Sequence, residues 1–249
     1  METNKQQFPT EEVTLPSKGL LYPKDSPLSK GIIEMKYMTA REEDILTNQN
    51  FIENGTVIDK LLKSLIVTPI DYNNLLLGDK NAVLVAARIL GYGKDYTFMF
   101  NGEEKTIDLT EIKDSELDES LIKEGKNEFD FKLPTSKVSV TFKLLTHGDE
   151  QAIDREIKGL KKLNKKVTSD VTTRLKHIIT SINGDYEQKT IRNFVDNEFL
   201  AIDAREFRNY IRKIQPDVNL IYNYEDQRGN IKEIDIPVGI QFFWPDASV

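Results

Sequence analysis

The chain has no cysteine and only two histidines, His147 and His177, among its 249 residues. The first absence excludes disulfides, thiolate nucleophiles and cysteine-rich zinc sites, and the second leaves little material for a metal centre. No run approaches the roughly 18 apolar residues of a membrane span, and Met1 to Gln7 lack the apolar core of a signal peptide. The sequence therefore predicts a protein made and used on the cytoplasmic side, with no membrane span. Also missing are a Gly-rich phosphate loop, a Gly-x-Ser-x-Gly elbow and a His-Glu-x-x-His pair. Basic residues are outnumbered by acidic ones, 34 to 41, for a net charge of -7. That balance argues against general nucleic-acid binding, which depends on a basic surface that releases counterions.

What is present organises itself around Ile32 to Leu46. Apolar residues alternate through Ile33, Met35 and Tyr37, which predicts a strand. Thr39 then meets Glu42 three positions on, the spacing of a capping box, with Glu42, Glu43 and Asp44 where the positive end of a helix dipole favours them. From Val138 the same programme returns: Val138, Val140, Phe142 and Leu144 alternate, and Thr146 precedes Asp149 and Glu150. Read as paired carboxylates, Glu42 with Glu43 and Asp149 with Glu150 could serve acid-base chemistry, but the capped helix start already accounts for them.

Along the chain, residues 1 to 31 are polar or proline-rich and predict an extended N-terminal arm. Its apolar Leu20, Leu21 and Tyr22 either pin the loop to the domain or dock on another chain, and the arm is expected to serve assembly more than folding. A first lobe spans 32–112. Its second helix ends near Thr68-Pro69, its third is capped by Asp79 and stopped by Gly91 and Gly93, and its hairpin turns around Asn101-Gly102, with Glu103-Glu104 lengthening the loop. Residues 113–132 read as an acidic linker, because the carboxylates there lack the spacing and central glycine of a calcium loop.

A second lobe spans 133–249. It holds a helix with a lysine-rich tail (Lys158, Lys161, Lys162, Lys165, Lys166), an amphipathic helix from Val171 to Ile182, a stripe from Phe207 to Ile214 ending at Pro216, and a hairpin around Asp226 to Asn230. A terminal strand is expected to bury Ile240, Phe242 and Trp244 and to leave Phe243 for a subunit contact, so Phe243 and Trp244 join Leu20 to Tyr22 as candidate interface residues. Each half thus reads strand, helix, helix, helix, hairpin, and the fold class is α+β, two related lobes from an internal duplication.

Leu15-Pro-Ser-Lys-Gly19, Tyr22-Pro23, Met38 to Leu46, Leu77-Gly-Asp-Lys80 and Ala87-Arg88 through Gly91-Tyr-Gly93 together resemble the baseplate hub subunit family of T-even-type contractile-tailed bacteriophages. Many members place a Cys-Pro-x-Cys knuckle in the hairpin after Gly93. Here Tyr96 to Leu109 has no cysteine, which removes a zinc site and leaves the hairpin. The resemblance implies a non-enzymatic structural or assembly component of a contractile tail baseplate, with no cofactor. Its implied partners are other baseplate or tail proteins, with self-association also open, and its implied locations are the host cytoplasm during assembly and the virion baseplate afterwards. A tail assembly chaperone absent from the mature virion is the alternative, and an enzyme with a cryptic carboxylate site a remoter one.

Overall fold

A computed structural model describes residues 9–163, 169–225 and 229–243. The chain is a mixed α and β protein whose strands form small antiparallel sheets. Strand β1 (Thr10–Thr14) pairs with β2 (Ile32–Lys36), Val13 lying opposite Ile33. Ile33 and Met35 point into the core while Ile32 and Glu34 face out, as the two-residue period requires. Helices α1 (Ala40–Leu46), α2 (Gln49–Glu53), α3 (Val57–Leu65) and α4 (Leu77–Tyr92) follow. Helix α2, which no periodicity predicted, starts on Asn48, whose side chain accepts the Phe51 N–H at 3.2 Å. Helix α4 is buried on nearly every side, as its apolar circumference predicts.

The hairpin of β3 (Asp95–Phe100) and β4 (Glu103–Asp108) places Phe100 opposite Glu103. Its loop is therefore the two residues Asn101 and Gly102, both at positive φ (51° and 81°), the backbone of a type I′ turn. The expected longer loop is corrected: Glu103 and Glu104 belong to the strand.

In the second half, β5 (Phe129–Lys132), β6 (Ser139–Phe142) and β7 (Ile179–Ile182) form an antiparallel sheet in that order. Helices α5 (His147–Leu163), α6 (Asp170–Ile178), α7 (Gln188–Asn193) and α8 (Ala201–Ile214) lead to a hairpin of β8 (Ile221–Glu225) and β9 (Ile231–Asp235). The expected helix to Ile182 stops at Ile178, because Ile179 to Ile182 supply the edge of the sheet instead, where branched side chains pack well. The expected terminal strand is a 3-10 turn, Ile240–Phe242.

Three boundaries read from composition do not match the packing. The N-terminal arm contains β1, and Leu15, Leu21, Tyr22 and Leu28 are core residues. The acidic linker contains β5, one edge of the second sheet. Nor do the halves keep separate cores: one continuous apolar cluster runs from Leu15 to Phe243.

The halves are joined where α4 and α5 begin. His147 N–H donates to the Leu75 carbonyl (2.8 Å) and Leu77 N–H to the Leu145 carbonyl (3.1 Å). Gly78, on the first turn of α4, lies against the Pro216 backbone so closely that a Cβ there would stand 1.7 Å from the carbonyl oxygen.

Candidate functional site

The residues nominated by sequence divide into supports of the fold and a surface. Glu42 is buried, and its carboxylate accepts the Thr39 N–H (3.0 Å), the Thr39 hydroxyl (2.6 Å) and the Lys36 ammonium (2.8 Å). Burial pushes its carboxyl up, but Lys36 and Thr39 together outweigh burial and hold it below the usual carboxylate range. Asp149 has the same partners at the same spacing: Thr146 N–H (3.1 Å), Thr146 hydroxyl (3.0 Å) and Lys143 (2.7 Å). Both acids hold a strand-to-helix turn. Their sequence neighbours point elsewhere, Glu43 taking the Tyr92 hydroxyl at 3.3 Å and Glu150 facing Arg174 at 3.5 Å.

Two further acids, which the sequence reading did not place in this role, clamp loops onto helix starts. Asp79, expected as a cap, sits inside the first turn of α4, where the N-cap is Leu76. It is fully buried and accepts the Ser17 N–H (2.9 Å), the Ser17 hydroxyl (2.6 Å) and the Tyr22 hydroxyl. Burial raises its carboxyl above the ordinary range despite these donors. The Tyr22 oxygen in turn accepts the Leu76 N–H (3.0 Å).

Asp203 holds the matching place in α8, after the N-cap Leu200, and accepts the Thr135 and Ser136 N–H groups (2.8 and 2.9 Å). The two clamped loops read Leu15-Pro16-Ser17-Lys18 and Leu133-Pro134-Thr135-Ser136-Lys137, and each carries a lysine at positive φ, Lys18 (52°) and Lys137 (61°). Only a comparison of the two Leu-Pro-Ser/Thr runs could have revealed this clamp in advance.

Of the proposed contact residues, Leu21 and Tyr22 are buried in the chain's own core, Leu20 is half-buried, and Phe243 is fully buried against Phe242, their ring centroids 5.6 Å apart. For Leu21, Tyr22 and Phe243 the expectation of a contact with a neighbour is corrected, and of the two readings of the loop, Leu21 and Tyr22 pin it to the domain. A short helical turn does not alternate like a strand, so both phenylalanines face inward. Trp244 lies outside the described residues.

Some of the exposed apolar residues lie on the hairpins. Phe98 packs edge-on against Tyr222 (5.5 Å) and Phe100 against Tyr224 (4.6 Å), so the hairpins of the two halves meet face to face through aromatic rings. Between the strands beside Phe100 and Tyr224 opens a groove of about 1070 Å³ lined by Phe100, Asn101, Tyr222, Tyr224 and Ile231 among others. Ile231 in that lining is 77% exposed, whereas Met99, 64% exposed, stands on the face of β3 opposite Phe98 and Phe100 and is not part of the lining. Ile231 and the half-buried rings of Phe100, Tyr222 and Tyr224 supply the apolar part of the lining, and Glu103, Lys105, Glu225 and Lys232 supply charge around them, a mix suited to a contact with another protein.

Among the described residues no group of three or more His, Cys, Asp or Glu side chains could hold a metal ion, and no helix is long and apolar enough to cross a membrane. No protein-family model, no curated protein and no solved structure matches the chain.

Proposed function

We propose that this chain is a non-enzymatic structural or assembly component of a contractile phage tail baseplate, a hub subunit working through protein-protein contacts. The observation that carries the reading is where the resembling motifs meet. Leu15-Pro-Ser-Lys-Gly19 and Tyr22 close on Asp79 of Leu77-Gly-Asp-Lys80. Thr39 and Glu42 hold the turn from β2 into α1. Arg88 donates to the Gly93 and Asp95 carbonyls (2.9 and 3.0 Å), fastening the end of α4 to β3. Every one of these motifs is spent on holding backbone, which suits a scaffold whose surface meets neighbours. The hairpin groove, with Phe100, Tyr224 and Ile231 in its lining, is the surface we assign to such a neighbour.

The reading includes an internal duplication. Repeated capping boxes with a lysine six residues before the acid, repeated Leu-Pro clamps on a buried aspartate, and a terminal hairpin in each half support it. So does the single bridge of Met35 to Ile66, which stands where Phe142 pairs with Ile179. In this view the first half carries the same third strand, cut to one residue pair.

Mass spectrometry of purified virions tests the proposal. Retention at stoichiometric levels supports a baseplate component, whereas presence in infected cells and absence from particles supports the tail assembly chaperone. The enzyme reading requires catalytic turnover that survives neither Glu42→Gln nor Asp149→Asn.

A further inference from the structure

The joint between the halves contains a histidine that neither the capping boxes nor the clamps use. His147 begins α5 and is 2% exposed. Its Nδ1 lies 3.3 Å from Lys80 Nζ on α4. Its Nε2 lies 2.9 Å from the Gln151 amide group and 3.4 Å from Asp59 Oδ2 on α3. The ring packs edge-on against Tyr72 at 4.6 Å. Lys80 also pairs with Asp59 (3.0 Å), and the Tyr72 hydroxyl donates to the same carboxylate (3.2 Å).

Hydrogen-bond chemistry assigns the proton. An ammonium has donors and no lone pair, so Nδ1 facing Lys80 must be the acceptor, and the single ring proton sits on Nε2. Gln151 then turns its carbonyl oxygen toward Nε2–H, the amide orientation being set by this network. In this arrangement the imidazole is neutral, and its one free lone pair is occupied by a cation. A second proton has nowhere to go unless Lys80 leaves.

We infer that protonation of His147 expels the Lys80 ammonium and loosens the joint between the two halves, making the contact of α4 and α5 sensitive to acid. The charged groups around the ring have opposing effects. Asp59 from α3 and Glu150 from α5 favour the proton. Burial first, then Lys80 from α4 and Lys63 from α3, oppose it, and the opposing set wins, so the imidazole titrates below the ordinary histidine value of 6.5. Lys63 lies over the Tyr72 ring at 4.9 Å, and Glu150 is partly occupied by Arg174 of α6. With the folded value depressed, the stabilising contribution is intact above about pH 6.5 and is lost as pH falls toward the folded value. The backbone bonds beside the ring, His147 N–H to Leu75 and Leu77 N–H to Leu145, report the loosening directly.

Hydrogen exchange on the intact protein at about pH 7.5 and about pH 5, corrected for intrinsic rates, tests this. The Leu77 and His147 amides are expected to lose about tenfold or more of their protection on acidification, while the Val140 and Ile182 amides of the second sheet keep theirs. In His147→Asn, whose side-chain oxygen can still accept from Lys80, the joint amides are expected to show no such loss. Joint amides equally protected at both pH values, or an equal loss in the Asn variant, overturn the inference. A second measurement stands if that variant folds poorly. In His177→Gln the remaining imidazole is His147, and its NMR titration midpoint is expected below 6.5 and to move up in Lys80→Met. A midpoint at or above the ordinary value, or one that Lys80→Met leaves in place, also overturns it.

Discussion

Replacing Gly78 by alanine sets two physical effects against each other. In an ordinary helix interior the change favours the fold by about 1 kcal/mol, because glycine gives up more backbone freedom. At Gly78 the added Cβ would stand 1.7 Å from the Pro216 carbonyl oxygen and 2.7 Å from its carbon. Backbone rather than a flexible side-chain end is in the way, so α4 must move off the segment after α8 by more than an ångström. Overpacking of this kind costs about 1–3 kcal/mol and occasionally more, so the net change is destabilising.

Gly159, exposed on α5 with nothing within 4 Å of its Cβ position, is the matched control and should be stabilised by up to about 1 kcal/mol. Urea unfolding and thermal melts of both variants read the difference; for a chain this long, each kcal/mol moves Tm by about 2–4 °C. A Gly78→Ala protein as stable as the wild type or more so, with Gly159→Ala behaving as expected, would refute the claim that the halves touch here backbone to helix.

Deleting residues 1 to 22 removes β1 and the buried Leu15, Leu21 and Tyr22, each contributing about 1.5–3 kcal/mol. The truncated chain is expected to lose cooperative unfolding by circular dichroism, and a sharp native-like melt would contradict the core assignment. Asp79→Ala strands the Ser17 amide and the Tyr22 hydroxyl and should cost about 1–3 kcal/mol in denaturant unfolding, where a neutral result would dissolve the clamp. Glu42 titrates below its ordinary 4.5, so its contribution is full above that value and fades as pH falls through the depressed one. Glu42→Gln should flatten that part of the acid limb of stability, and an unchanged limb would count against the turn. Ile231→Glu, at an exposed position of the groove lining, should shift stability by no more than about 0.5 kcal/mol and sharply reduce incorporation into particles; normal incorporation would remove the groove as a contact.

Local features were legible in the sequence and distant pairings were not. The Thr39 and Thr146 turns were readable because cap and acid lie three residues apart, and the first hairpin because Asn-Gly supplies positive φ. Its loop length is not readable, since acidic residues suggest loop while strand pairing begins at Glu103. Asp79 looked like a cap because an acid at a helix start usually is one; its role depends on Ser17, 62 positions earlier. Burial of Tyr22 likewise depends on α4. Gln151 lies one helical turn from His147 in the sequence, but Lys80 and Asp59, 67 and 88 positions earlier, reach it only through the fold. Apolar residues that stay exposed, Met99, Leu163 and Ile231 among them, look the same in sequence as those that do not.

Cryo-electron microscopy of the assembled tail tests the central claim most directly. This chain is expected within the baseplate, folded as described, with a neighbouring subunit's side chains seated in the hairpin groove against Phe100, Tyr224 and Ile231. A baseplate without the chain, or one in which that groove faces solvent in every copy, would contradict it.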